Sequence, residues 1–173
     1  MTATLAQRVR DELLPFVRQP AQYIGRELNQ LVRRGDWERA EIRVVVAFPD
    51  TYTVGMSHLG CQILYWLCNH TPGVCAERTY APWIDAERIM RQKRIPLFTW
   101  DTRQPVREAD ILAISLQYEM CFTTLLNLLD LAGIPLRREC LVPLGWFADS
   151  TAQPAVGDFP DGAQLRTALG TTR

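Results

Sequence analysis

Two buried-strand runs constrain this chain more than anything else in it. Glu41-Ile-Arg-Val-Val-Val-Ala-Phe48 is nearly continuous in β-branched and apolar residues. That is the pattern of a parallel strand covered by helices on both faces. Ala109-Asp-Ile-Leu-Ala-Ile-Ser-Leu-Gln117 repeats it. Each run leads into a loop and then into helical periodicity. After the first, Pro49 to Gly55 carries turn chemistry, and Leu59, Ile63, Trp66 and Leu67 recur at helical spacing up to the Thr71-Pro72-Gly73 stop. After the second, Glu119 to Ala132 is a leucine-rich helical stretch closed by Gly133. This alternation predicts an α/β fold: an open, doubly wound, Rossmann-like parallel sheet with right-handed crossovers.

Between the two units the sequence predicts a short strand at Val74 to Tyr80, a corner at Ala81-Pro82-Trp83, a helix from Asp85 to Lys93 and an extended piece from Pro96 to Thr99. Ahead of them, Leu5, Val9, Leu13, Phe16 and Val17 recur at helical spacing until Pro15 kinks or ends the helix. A second helix is expected from Pro20 to Arg34, with Ile24, Leu28, Leu31 and Val32 on one face and Gly35 as its stop. After Leu136 the pattern decays, and Pro143 and Gly145 break the next apolar run. The chain thus divides into an amino-terminal helical segment (1–40), an α/β domain (41–140) and a divergent tail (141–173), which is expected to be flexible with a helical turn near Gln164 to Leu169.

A length of 173 residues with 47% hydrophobic content fits one core with appendages. The 19 basic and 19 acidic residues cancel, which gives no electrostatic reason to expect nucleic acid or an anionic membrane as a partner. The amino-terminal segment has no apolar run of signal or membrane-spanning length, so a cytoplasmic location is the default expectation. The five cysteines, at 61, 68, 75, 121 and 140, form neither a zinc-type pair nor a cluster-binding triplet and read as reduced, structural thiols.

In an open parallel sheet, ligands bind outside the carboxyl ends of the strands, where loops present unpaired backbone N–H groups. Two loops qualify: Phe48 to Gly60, with Asp50, Gly55, Ser57 and His58, and Ser115-Leu116-Gln117-Tyr118-Glu119. The alternative for the first loop is purely local, with Asp50 and Thr51 capping a turn and Gly55 permitting a tight bend. Neither a G-x-G-x-x-G nor a P-loop is present. His70 beside a helix stop reads as a favourable residue for the helix dipole. His58 has no Ser, Cys or carboxylate partner at a spacing that would make a catalytic dyad, so no catalytic or metal-ligating residue is assigned.

Taken together, Pro20-Ala-Gln-Tyr-Ile-Gly-Arg-Glu-Leu-Asn29, Phe48-Pro-Asp-Thr-Tyr-Thr-Val-Gly-Met-Ser-His-Leu-Gly60, Ala76-Glu-Arg-Thr-Tyr-Ala-Pro-Trp-Ile-Asp85, Ser115-Leu-Gln-Tyr-Glu119 and Asn127-Leu-Leu-Asp-Leu-Ala-Gly-Ile-Pro-Leu136 resemble a family of radical SAM proteins that carry a B12-binding domain. The resemblance implies a Rossmann-like cobalamin-binding domain placed before a radical SAM barrel, with a [4Fe-4S] cluster and S-adenosylmethionine held by the barrel. The C-x-x-x-C-x-x-C motif of that barrel is not among the five cysteines, so radical chemistry is not assigned to these residues. Where members continue into a strand and a Gly-Gly-Pro turn, this chain reads Leu141-Val-Pro-Leu-Gly-Trp-Phe147. It is therefore expected to be a truncated or frameshifted member that lacks its last strand or two, with a radical SAM core or downstream polypeptide as partner.

The resemblance also implies where cobalamin would sit. Such domains carry D-x-H-x-x-G, and here the stretch reads Asp50-Thr51-Tyr52-Thr53-Val54-Gly55. Tyrosine stands where the lower histidine ligand belongs, which implies cobalamin held without a protein imidazole and with Tyr52 beneath the corrin. The implied contact residues are Asp50, Tyr52, Gly55, Met56, Ser57, His58, Ser115, Leu116 and Gln117. The alternative is a scaffold domain that packs on a radical SAM core without binding cobalamin.

Overall fold

The computed structural model describes residues 3–136, and the expectations for 137–173 lie outside them. Three parallel strands make the sheet: β1 (Ile42–Thr51), β2 (Val74–Ala81) and β3 (Ile111–Ile114), in the order β2-β1-β3. The first strand is central and buried from Val44 to Pro49, as its continuous apolar run requires. The run from Ala109 to Gln117 yields only four strand residues, all half-buried. It pairs with β1 over Val44 to Ala47 alone and is an edge strand among the described residues.

Helices cover both faces. The helix α4 (Leu59–Asn69) follows β1 and lies over the face that carries Ala76 and Arg78: Tyr65 stacks under Arg78, and Asn69 hydrogen-bonds the Ala76 backbone at 3.0 Å in both directions. The opposite face, with Ala47, Thr79, Leu112 and Ile114, meets Leu125 and Leu128 of α6 (Cys121–Ala132) around a cavity of about 10 Å³. Gly133 ends α6 at φ +68, the left-handed cap its sequence predicts. Beside α6 runs α5 (Ile84–Lys93), tied to it through Arg91 on Asp130 (2.6 Å) and Asn127 (2.6 Å). Helices on both faces of a parallel sheet confirm the doubly wound α/β class.

The amino-terminal segment departs from expectation. Its first helix forms, as α1 (Leu5–Arg8), a π turn (Val9–Leu13) and a 3-10 turn (Leu14–Phe16), and Arg8 reaches the last carbonyls of α5, Lys93 O (2.7 Å) and Arg94 O (3.2 Å). The helix expected from Pro20 to Arg34 does not form beyond a 3-10 turn at Pro20–Tyr23. Gly25 (φ +70) and Arg26 (φ +64) are left-handed, which no helix tolerates. Residues 24–34 instead make a strap held by side chains of the core: the Tyr65 hydroxyl accepts from Leu31 N (2.8 Å), and Asn29 Oδ1 accepts from Arg78 (3.0 Å). Ile24, Leu28 and Leu31, expected on a buried helix face, are exposed; only Val32 is inside. A short helix, α2 (Asp36–Arg39), then delivers the chain to β1.

Helix α4 forms where the apolar periodicity places it. Leu59, Ile63, Trp66 and Leu67, the periodic apolar face, point outward, whereas Cys61 and Tyr65 are buried against the sheet. The helix contains no charged residue, so hydropathy could not tell its inner side from its outer one.

Candidate functional site

The chain runs from β1 leftward to β2 and then returns to β3 on the other side, which puts the topological switch point between the carboxyl ends of β1 and β3. Both loops singled out in the sequence converge there. Asp50, at the end of β1, turns one carboxylate oxygen onto its neighbour Thr51 N (2.6 Å) and accepts a hydrogen bond from the Tyr118 hydroxyl with the other. That bond holds the Tyr118 proton and raises its pKa. In the same loop Gln117 Nε2 donates to Ser115 Oγ (2.7 Å). Cys61, on the first turn of α4, lies against Ser115: burial pushes its thiol pKa up, and the hydrogen bond with Ser115 partly offsets this. Leu116 and Met120 stand exposed around these polar groups.

The other expected site residues fall into two groups. On the β2 side, Tyr52 opens a short helix, α3 (Tyr52–Gly55). Its ring meets Tyr80 edge-on at 5.8 Å, and its hydroxyl donates to Glu27 of the strap. Desolvation, reinforced by Glu27, pushes it up to about 12. Gly55 is buried, and a Cβ there would overlap the Tyr80 ring, 2.6 Å from Cε1. The Met56 sulfur accepts from the Tyr80 hydroxyl (3.3 Å). Tyr52, Gly55 and Met56 thus join the strap to β2, whereas Asp50 joins β1 to the β3 loop. The second group closes local turns. Ser57 Oγ donates to Val54 O (2.9 Å), and His58 caps α4 by accepting Cys61 N on Nδ1 (3.2 Å) while packing on Phe48. With Nδ1 an acceptor, the ring proton resides on Nε2.

Sequence reasoning missed the polar centre below the site. Arg78 and Asp101 form a buried pair at 2.7 Å, and Arg78 lies 4.2 Å above the Tyr65 ring. Burial alone would lower the Arg78 pKa; the hydrogen bonds and charge of Asp101 reverse that and raise it. On the other face of β2, Glu77 is fully buried and accepts from Thr102 N (3.1 Å) and the hydroxyls of Thr102 and Thr99. Burial pushes it up to about 7 against these three donors. The only signal available was the sequence Glu77-Arg78 inside an otherwise strand-like run. Cys61, Cys75 and Cys121 are buried and Cys68 half-buried, as structural thiols should be. No group of His, Cys, Asp and Glu among the described residues could hold a metal ion, and no described helix is long and apolar enough to cross a membrane.

What fold and site define is an α/β domain with polar groups gathered at a β1/β3 switch point. Residues 60–140 match the family model described as radical SAM proteins, N-terminal. The match supports a radical SAM family; it begins at the second residue of α4, after Asp50 and the rest of the first loop. No curated protein and no solved structure matches the chain.

Proposed function

We propose that this chain is a cobalamin-binding-type accessory domain of a radical SAM protein, non-catalytic by itself, with the corrinoid at the β1/β3 switch point. The observation that carries the reading is the Tyr118 to Asp50 hydrogen bond, which joins two loops distant in sequence at the position where open α/β sheets hold ligands. A corrin is an apolar macrocycle fringed with amides. Asp50, Ser115 and Gln117 supply acceptors and donors for such a fringe, and Leu116 and Met120 supply an apolar rim. Bound cobalamin would contribute cobalt-centred chemistry to a radical SAM core that itself holds the [4Fe-4S] cluster and S-adenosylmethionine. The residues of this chain would orient the ring and leave its lower face without an imidazole, since Tyr52 replaces histidine and the His58 Nδ1 is engaged in capping α4.

Titration of the full chain with hydroxocobalamin tests this. The expected result is co-elution and a shifted visible spectrum, weakened at least several-fold by Asp50→Ala and little affected by Tyr52→Phe. Absence of any spectral change or co-elution up to about 100 µM overturns it. A second reading, a scaffold that packs on a radical SAM core without cobalamin, is favoured by the exposed Phe122 and Leu126 of α6 beside the half-buried β3.

A further inference from the structure

We propose that a cavity on the β2 side of the sheet's carboxyl edge binds a small aromatic monocarboxylate. The cavity, of about 390 Å³, lies where Arg18, Gln22 and Tyr23 of the amino-terminal segment meet Thr51 at the end of β1 and Trp83 and Asp85 at the start of α5. Its size falls in the range of about 300–1,000 Å³ that small-molecule sites occupy. It also lies beyond the carboxyl ends of parallel strands, where open α/β sheets hold ligands. The stretches Pro20–Asn29 and Ala76–Asp85, neither of which enters the switch point, both contribute to its wall.

The hydrogen bonds already made in the wall decide what is left for a ligand. Both oxygens of the Asp85 carboxylate are engaged by backbone N–H groups, those of Arg18 (2.8 Å) and Ala86 (2.8 Å). The Tyr23 hydroxyl accepts from Trp83 N (3.0 Å), and its own proton, on a side chain only 2% exposed, has no acceptor among the described residues. A polar proton so placed calls for a partner. Gln22 Nε2 donates to Gln19 Oε1, which leaves the Gln19 amide N–H groups open. Among the described residues Arg18 hydrogen-bonds only through its backbone, so its guanidinium is open as well. The wall offers donors, and the ligand must bring acceptors. Charge and shape narrow them further. The Arg18 fork matches a carboxylate or a phosphate. Asp85 sets a negative charge in the same wall, which repels a dianionic phosphate more than a monocarboxylate. The Trp83 indole, half-exposed at the cavity, supplies a flat apolar face on which an aromatic ring stacks.

Titration of the full chain with phenylacetate, followed by tryptophan fluorescence and saturation-transfer NMR, should saturate with a Kd of about 0.1–1 mM. Phenylacetamide, which loses the charge, and phenyl phosphate, which carries a second one, should each bind at least about fivefold more weakly. Cyclohexylacetate, which loses the aromatic face, should bind at least about twofold more weakly. Arg18→Gln and Trp83→Ala should each weaken phenylacetate at least about fivefold with unchanged far-UV circular dichroism. If Trp83→Ala fails to fold, the exposed Arg18 and the three analogues still decide the matter. No saturation up to about 10 mM, equal binding of the amide, tighter binding of the phosphate or the cyclohexyl acid, or a folded Arg18→Gln chain that binds like wild type each overturns the proposal. This inference does not rest on cobalamin, so its failure leaves the corrinoid titration unaffected.

Discussion

Replacing Asp101 with alanine should remove a large part of the stability of this domain. Its carboxylate accepts from Arg78 N (2.8 Å), Nε (3.4 Å) and Nη2 (2.7 Å) and from the Tyr65 hydroxyl (3.3 Å), and both side chains of the ion pair are nearly inaccessible. An exposed pair of this kind would be worth about 0–1 kcal/mol. A buried one behaves differently, because deleting one partner leaves the other charge without a counter-ion and costs about 3–5 kcal/mol. Here the stranded guanidinium would retain Asn29 Oδ1 (3.0 Å), the more distant Gln62 Oε1 (3.4 Å) and the Tyr65 ring, which favours the lower half of that range. Against a total of about 5–15 kcal/mol for a domain of this size, such a loss is large. With a urea slope of about 1–3 kcal/mol/M, the unfolding midpoint should fall by roughly 2 M. The double variant Arg78→Met with Asp101→Leu should be more stable than the sum of its single changes predicts, since it buries no lone charge. A loss below about 1 kcal/mol in Asp101→Ala, or strict additivity in the double variant, would refute the reasoning.

Glu77 makes stability depend on pH. Its folded pKa is raised to about 7 from an ordinary 4.5, so its contribution is fully present below pH 4.5 and is lost as pH rises through about 7, a fall of up to roughly 3 kcal/mol; urea titrations at pH 5.5 and 8.5 should show the decline, and Glu77→Gln should flatten it. Gly55→Ala should cost about 1–3 kcal/mol in thermal unfolding, because the new methyl group meets Tyr80 on one side and Phe48 (3.2 Å) on the other. Gly25→Ala should be no milder: its φ of +70 disfavours a side chain, and the Cβ would press on the Trp100 carbonyl and lie 3.2 Å from that of Asp101.

The parts of the fold legible in the sequence are those set by local chemistry. The apolar run of β1 had to be a covered strand, and Gly133 had to stop α6 because that position is left-handed. What escaped was decided by partners remote in sequence. Nothing between Pro20 and Arg34 shows that Tyr65, Tyr52 and Arg78 will take the hydrogen bonds of the strap and hold Arg26 at positive φ, in place of the helix that its apolar spacing predicts. Nothing local marks Glu77 and Arg78 as buried, because burial of a charge is allowed only by a partner, and Asp101 and Thr102 lie more than 20 residues away. For the site, the two loops were legible from strand ends alone; the Asp50 to Tyr118 bond was not, since it depends on β3 lying beside β1.

That bond also separates two jobs that the first loop performs. Asp50 works toward β3, while Tyr52, Gly55 and Met56 work toward β2 and the strap. Tyr52 therefore has a structural role on the far side of β1. The two roles should come apart by mutation. Tyr118→Phe removes an exposed hydroxyl from the switch point and should weaken corrinoid binding while leaving unfolding within about 0.5 kcal/mol of wild type, as surface changes do. Tyr52→Phe leaves Glu27 without its partner and should lower stability by about 1.5 kcal/mol, the low end for a hydrogen bond to a charged group because the position is only half-buried, with corrinoid affinity unchanged. Paired urea and hydroxocobalamin titrations measure both. The division fails if the two variants lose binding and stability in the same proportion.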